Sequence, residues 1–146
     1  MVLSVHSAPL VDVAPLVLHD IFKLRGDVFV VEQVCAYPDL DGRDGEPGAV
    51  QFWAEMDGAV VACLRRLRDA DGAVRIGRIA TKAAHRGQGL AEALIAAALE
   101  GVTAPAVLDA QVPLEQWYAR LGFGRDGPDY VEDGIPHLPM RRQPPR

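Results

Sequence analysis

The sequence predicts a mixed α/β (α+β) domain in which helices cover a mostly antiparallel sheet. Asp-Gly pairs at 57–58 and 71–72 separate segments of strand character, and Asp-Gly is typical of the tight turns that join antiparallel strands. A strand over 74–81 then passes through a glycine-rich turn into a helix, and further strands and helices follow. The length of 146 residues is that of one ordinary domain.

Apolar spacing defines the elements of the first half. We expect a strand over 2–6, an amphipathic helix over about 14–28, a turn-rich acidic loop over 42–48, and strands over 49–55 and 60–68. The apolar residues at helical spacing in the first helix are Val17, Ile21, Leu24 and Val28.

The second half alternates helices with strands. The expected elements are strands over 74–81 and 106–110, helices over about 89–100 and 113–122, and two final strands from about 123 and about 137, joined through 132–136. Pro113 marks a helix start because proline is favoured at the first helical position. One domain is predicted over 1–142, followed by a short, proline-bearing tail over 143–146.

The charge balance and the cysteine count exclude several classes of protein. Twenty acidic and fifteen basic residues give a net charge of −5, whereas a dedicated nucleic-acid binder neutralises phosphates with basic residues. No apolar run approaches the roughly 18 residues of a membrane-spanning helix, and no signal peptide is apparent. Two cysteines without a ligand cluster predict no metal site. We therefore expect a cytoplasmic protein that binds neither nucleic acid nor membrane.

The turn between the strand over 74–81 and the following helix has the features of an anion site. The first N–H groups of a helix lack partners and carry the positive end of its dipole. Gly87 and Gly89 bring no side chain that would hold a phosphate away, and Lys82 and Arg86 add positive charge. The turn is neither a P-loop nor a dinucleotide fingerprint, because Glu92 stands where the latter has Gly or Ala. Taken by itself, this motif also fits a helix start without a ligand.

Arg86-x-x-Gly89-x-Ala91 resembles the Arg/Gln-x-x-Gly-x-Gly/Ala signature of the GCN5-related N-acetyltransferases (GNAT). In that family the turn binds the pyrophosphate of coenzyme A, and the backbone of the preceding strand holds the pantetheine. The resemblance therefore implies acetyl-CoA as co-substrate, bound by Ile79, Ala80, Thr81, Arg86, Gly87, Gln88, Gly89, Leu90, Ala91 and Gln111.

A second GNAT motif, Asn-x6-Tyr-x3-Gly-Phe, is similar to the segment that ends at Tyr118 and Gly122-Phe123, with Gln111 where asparagine is usual. In the family the tyrosine hydroxyl protonates the departing thiolate, which makes Tyr118 a catalytic candidate. The alternative is a plain core tyrosine, because it shares one helical face with Leu114, Trp117 and Leu121. The substitution at Gln111 permits a second alternative, a homologue that binds coenzyme A without catalysis.

Three longer segments resemble the ElaA-like branch of these acetyltransferases: 24–33, 37–42 and 130–140. Together with the two motifs above, they span nearly the whole chain in the family's order. The resemblance implies acetyl transfer from acetyl-CoA to an amine of a small molecule or peptide by direct attack, without a covalent acyl-enzyme. It names no acceptor, and it fits a monomer or a homodimer.

An acceptor amine must lose a proton before it attacks, because an alkyl amine with a pKa of about 10.4 is almost wholly protonated at pH 7. Glu32 is the first candidate base, since it follows an apolar run directed toward the sheet, although it could simply end an element. His137 is the second, because its ordinary pKa suits the task, although it could be a strand-edge histidine. Glu32, Gln33 and His137 are therefore predicted to contact the acceptor.

Charge is distributed unevenly along the chain. From 65 to 86 there are seven basic and two acidic residues, a local charge of +5, where a polyanionic cofactor is expected. From 39 to 57 there are six acidic residues and one basic residue, a local charge of −5. Asp39, Asp41 and Asp44 either attract a cationic acceptor or form a solvated acidic loop.

Overall fold

One sheet of eight strands spans the chain in the computed structural model, which describes residues 2–144. The strands are β1 (Leu3–Ala8), β2 (Val50–Met56), β3 (Ala59–Arg68), β4 (Val74–Thr81), β5 (Ala106–Gln111), β6 (Gly124–Arg125), β7 (Tyr130–Glu132) and β8 (Ile135–Arg142). Their order is β1-β2-β3-β4-β5-β8-β6, and β7 pairs with β8. Only β4 and β5 pair in parallel within this sheet. The predicted mixed, mostly antiparallel sheet is therefore confirmed.

Helices cover both faces of the sheet. They are α1 (Pro15–Arg25), a π-helix (Gly26–Glu32) that continues α1, α2 (Leu90–Leu99) and α3 (Glu115–Ala119). Side chains alternate across a strand, so Phe52 and Trp53 of β2 belong to different cores. Phe52 packs in the core beneath α2 and α3, and Trp53 packs in the core beneath α1. No helix within residues 2–144 is long and apolar enough to cross a membrane.

The first helix runs farther than its predicted end near Val28. The backbone widens into i→i−5 hydrogen bonds, in which Gln33 N donates to Val28 O and Cys35 N donates to Val30 O. No glycine or proline interrupts the chain between 27 and 32, so nothing breaks the helical path. A π-helix is rare, and it frequently marks a functional site. Here it carries Glu32, its last residue, to the open end of the sheet.

The C-terminal region contains three strands rather than the predicted two. β7 and β8 form a hairpin through Asp133 and Gly134, which both have positive φ (51° and 78°), as tight hairpin turns require. Strand β6 has only two residues, too few to produce an apolar pattern in the sequence. Of the predicted tail over 143–146, Gln143 and Pro144 follow β8 outside any strand, and residues 145–146 lie outside the described part of the chain.

Candidate active site

Strands β4 and β5 separate after two residue pairs and leave a cleft between them. They pair only at Val74–Ala106 and Arg75–Val107. Beyond that point β4 carries a bulge, because Arg78 and Ile79 together oppose a single residue of β3. Arg78 has a φ of +50°, which is uncommon for a residue other than glycine. A bulge bends its strand, and the bend opens a cleft of about 1220 Å³.

Most of the residues that the sequence assigned to the site line this cleft. They come from the π-helix, the end of β4, the turn before α2, α3, and the β7–β8 hairpin. The predicted residues on the cleft wall are Glu32, Gln33, Ile79, Ala80, Thr81, Arg86, Gly87, Gly89, Leu90, Ala91, Gln111, Tyr118 and His137. Gln88 differs, because its side chain is exposed and it does not belong to the wall of the cleft.

The turn before α2 presents backbone donors to the cleft. Gly87 and Gly89 have φ values of +75° and +78°, and Gly89 is the N-cap of α2. Within residues 2–144, no side chain caps the first N–H groups of this helix. The positive φ rather than crowding favours glycine here, because a Cβ on Gly89 would meet only the flexible Glu92 side chain, at 3.4 Å, and one on Gly87 would meet nothing within 4 Å. Free N–H groups beside a cleft fit a pyrophosphate.

Arg86 and Glu32 form an ion pair between the two sides of the cleft. Arg86 Nη1 and Nη2 donate to the two carboxylate oxygens of Glu32 at 2.8 and 2.7 Å, and Arg86 Nε donates to Thr81 O. The hydrogen bonds from Arg86 hold the pKa of Glu32 below its ordinary value. The residue predicted to bind pyrophosphate and the residue predicted to act as base therefore contact each other.

Tyr118 belongs both to the core and to the cleft. Its side chain is 8% exposed, and its ring lies edge-on to Trp117 and to Phe123, with ring centroids 4.8 and 6.1 Å away. Burial raises the pKa of Tyr118 to about 12. The phenol is therefore neutral near pH 7 and can donate a hydrogen bond into the cleft that it lines.

Polar side chains on β5 and β8 face the end of the π-helix. Gln111 Nε2 donates to Gln33 Oε1 at 3.3 Å. His137 pairs with Gln111 in the β5–β8 register, stacks on Tyr130 and lies 2.7 Å from Ile135 O through Nδ1. A carbonyl oxygen can only accept, so Nδ1 carries the hydrogen and Nε2 of the neutral ring keeps its lone pair. His137 can therefore accept a proton at Nε2.

Two of the three acidic residues, Asp39 and Asp44, are neither solvated nor free to attract a cation, which corrects both expectations for them. Asp39 and Asp44 are buried against Arg25, whose side chain is only 1% exposed. Arg25 donates from Nε to Asp39 Oδ2 at 3.0 Å and from Nη1 to Asp44 Oδ1. Burial opposes the ionisation of Asp44, yet its hydrogen bonds from Arg25 hold its pKa below the ordinary value.

Two arginines of the sheet complete this buried ion cluster, which comprises Arg25, Asp39, Asp41, Asp44, Arg65 and Arg78. Arg65 binds Asp41 through both Nη atoms at 2.8 and 3.1 Å. Burial opposes the ionisation of Asp41, but the bonds from Arg65 lower its pKa to about 2. Arg78 reaches Asp39 and Asp41 from the β4 bulge. The cluster thus ties the acidic loop to the strand that opens the cleft.

The basic segment over 65–86 is correspondingly less basic than its sequence indicates. Arg65 and Arg78 pair within the buried ion cluster, and Arg75 pairs with Asp69 and Asp109. Arg66 donates to Ala98 O. The local charge of +5 was expected to serve a polyanion, but pairing with acidic residues neutralises much of it. Most of the acidic partners lie outside residues 65–86, so the charge of the segment alone does not show this pairing.

Sequence reasoning missed the residues that shape the cleft. Arg25 stands in α1 as one charged residue among many, and Arg78 stands in an ordinary strand pattern. Tyr37 also lines the cleft, donates to Asp39 Oδ1 at 2.6 Å and lies under the Arg78 guanidinium. The only signal for a buried Arg25 in the sequence was its place beside the apolar stripe of α1.

Within residues 2–144, no group of three or more His, Cys, Asp or Glu side chains could hold a metal ion.

Comparisons with known proteins agree with this geometry. The family model described as "Acetyltransferase (GNAT) domain" matches residues 28–144. The UPF0039 protein Rv2851c of Mycobacterium tuberculosis is 48% identical over 130 residues, which cover 86% of this chain and 83% of that protein. Protein ElaA of Escherichia coli is 37% identical over 135 residues, with 86% and 87% of the two chains covered.

Solved structures give the same result at the level of the fold. A crystal structure of an acyl-CoA N-acyltransferase from Pseudomonas aeruginosa has a TM-score of 0.90 and 38% identity, covering 97% of this chain and 99% of that one. The crystal structure of Escherichia coli ElaA has a TM-score of 0.90 and 32% identity, covering 97% and 100%. The chain belongs to the GNAT acetyltransferase domain family and is similar to the ElaA proteins within it.

Proposed function

We propose that this protein is an acetyl-CoA-dependent N-acetyltransferase that acetylates an amine of a small molecule or peptide by direct attack. The observation that carries the proposal is the cleft opened by the β4 bulge, which ends at the uncapped N–H groups of α2. Such a cleft can hold a thioester along β4 and its pyrophosphate at the helix start. The same proposal takes residues 1–142 as one catalytic domain of a cytoplasmic monomer or homodimer.

Backbone groups supply most of the cofactor contacts in this proposal. The pyrophosphate lies against the turn at 87–91 and against Arg86, with Gln88 beside it on the exposed side of the turn. The pantetheine runs along 79–81, where β4 has left β5 and its peptide groups are free of that partner. Donors fixed in this way stabilise the charge that develops on the thioester oxygen during attack, and the cleft aligns the two reactants.

Tyr118 is proposed to stabilise the leaving sulfur. An alkyl thiol has a pKa of about 8.5, whereas burial raises the pKa of Tyr118 to about 12. The phenol therefore donates a hydrogen bond to the developing thiolate and keeps its proton, which differs from the proton transfer that the family resemblance implies. The sulfur takes up a proton from water on release. A hydrogen bond to a charged group contributes about 1.5–3 kcal/mol, which is enough to matter for the rate.

Glu32 is proposed to take the proton of the attacking amine, with His137 as an acceptor-binding residue nearby. The ammonium first gives one proton to Glu32. As the neutral nitrogen then attacks, its N–C bond forms, the C–S bond breaks, and a second proton leaves the nitrogen for water, which in turn protonates the released thiolate. We expect Glu32→Gln to lower kcat about 100-fold and His137→Gln to lower it less than about tenfold. The pH profile of kcat for each variant is the measurement. A larger loss in His137→Gln than in Glu32→Gln would transfer the role to His137.

Binding and turnover test the function directly. Isothermal titration calorimetry of the protein with acetyl-CoA is expected to detect a one-to-one complex with a micromolar Kd, and thiol release across a panel of amines is expected to identify an acceptor. The alternative function is a homologue that binds coenzyme A without catalysis, favoured by Gln111 and by its contact with Gln33. Binding without thiol release on any amine would favour that alternative, and no binding at millimolar acetyl-CoA would contradict both.

A further inference from the structure

We propose that Glu32 and the pyrophosphate of coenzyme A compete for Arg86, so that cofactor binding breaks the Glu32–Arg86 ion pair and releases the carboxylate to the acceptor side of the cleft. The inference rests on the proposed function, because it needs coenzyme A at the turn before α2. It assigns Glu32 a role in cofactor affinity that is separate from its proposed role as base.

The geometry of the ion pair makes the two partners mutually exclusive. Arg86 uses both Nη atoms on Glu32 and its Nε on Thr81 O. The Nη edge of a guanidinium binds one carboxylate or one phosphate bidentately. Arg86 directly precedes Gly87 and both line the cleft, so a pyrophosphate at the turn lies within reach of the guanidinium that pairs with Glu32. One arginine therefore has two candidate anions at one edge.

Exposure and charge favour the pyrophosphate in this competition. The side chains of Arg86 and Glu32 are 42% and 47% exposed, and an ion pair in water is weak because solvent screens it. A pyrophosphate carries more negative charge than one carboxylate, and it also accepts from the uncapped N–H groups of α2. Glu32, in contrast, is an exposed residue at the end of the π-helix, so water solvates its carboxylate when it turns away. The exchange is therefore favourable.

The exchange changes the acceptor side of the cleft. While it is paired, Glu32 accepts from Arg86 with both oxygens and its pKa is lowered. Release leaves the carboxylate on the π-helix side of the cleft, which Glu32 and Gln33 both line. Removal of the guanidinium also removes the cause of the lowered pKa, which makes the carboxylate a stronger base. Coenzyme A binding would thus prepare the site for the amine.

A double-mutant cycle on acetyl-CoA affinity tests the competition. We expect Glu32→Gln to bind acetyl-CoA about two- to fivefold more tightly than the natural protein, because the competing anion is gone. Arg86→Gln is expected to bind more weakly, and Glu32→Gln added to Arg86→Gln is expected to give no further change. The affinities are measured by calorimetry with the full-length chain at fixed ionic strength.

Glu132→Gln is the matched control, because Glu132 is exposed, lines the same cleft and contacts no arginine within residues 2–144. It removes one negative charge near the cofactor without touching Arg86. If Glu32→Gln and Glu132→Gln both bound acetyl-CoA more tightly by the same factor, the loss of one negative charge would explain the effect, and the proposal would be overturned. Weaker binding by Glu32→Gln would also overturn it, since Glu32 would then hold Arg86 in place for the cofactor. If the natural protein binds no acetyl-CoA, the proposed function itself fails.

Discussion

Replacing Tyr118 by phenylalanine is expected to lower kcat about 10- to 100-fold, while the Kd for acetyl-CoA changes less than about twofold. The loss corresponds to one hydrogen bond to a developing thiolate. The aromatic ring remains and keeps its edge-on contacts with Trp117 and Phe123. We therefore expect the melting temperature to change little. Thiol release under saturating substrates, calorimetry and thermal melting provide the three measurements.

Tyr130→Phe is the control for this prediction. Tyr130 is a second phenol near the cleft, and burial raises its pKa, but it lies on the far side of His137 in β7. We expect this variant to keep kcat within about twofold. Full activity of Tyr118→Phe would remove the proposed role at the sulfur. If Tyr118→Phe lost much stability but the molecules that remained folded kept the normal kcat, Tyr118 would be a core residue only.

Arg25→Leu is expected to destabilise the protein by about 3–5 kcal/mol, because it leaves buried carboxylates without their main partner. Arg25 makes four hydrogen bonds to Asp39 and Asp44, and both aspartates are buried. Since a domain of this size is stable by only about 5–15 kcal/mol, the melting temperature should fall by more than about 10 °C. Urea unfolding followed by circular dichroism measures the change in free energy.

Lys23→Leu is the matched control on the same helix. Lys23 also pairs with an aspartate, Asp27, at 2.7 Å, but both side chains are more than half exposed. We expect its melting temperature to stay close to that of the natural protein, because water screens the pair and solvates the remaining carboxylate. Equal stability of Arg25→Leu and Lys23→Leu would mean that the buried ion cluster contributes nothing, contrary to its burial.

The strands and helices could be predicted from the sequence because their causes are local. Apolar periodicity placed the cores on α1 and on β2 to β4, and Asp-Gly pairs marked the turns between antiparallel strands. Gly89 marked the start of α2 through its positive φ. The helix predicted over 113–122 is shorter, because Pro113 lies in a 3₁₀ turn over Val112–Leu114 that leads into α3 at Glu115. The GNAT motifs predicted a cofactor turn and Tyr118 from the same local information. The position of β4 itself was predicted to the residue.

The bend within β4 was not predictable, because its cause is not local. Arg78 is not a glycine, and nothing in the pattern of β4 announces a positive φ at this position. The surrounding structure holds it there, through bonds to Asp39 and Asp41. Strained backbone of this kind persists only where neighbouring structure requires it. The cleft that follows from the bend was therefore visible only in the assembled fold.

The sequence and the structure differ most in which charged side chains they leave unpaired. The sequence by itself determined which segments are basic and which are acidic, together with the fold class and the motif of the cofactor turn. Only the tertiary structure decided which charges remain free, because Arg25 meets Asp44 across 19 residues and Arg86 meets Glu32 across 54. An ion pair depends on distance in space, and burial decides its strength. The net charge of a segment contains neither the distance between charged groups nor their burial.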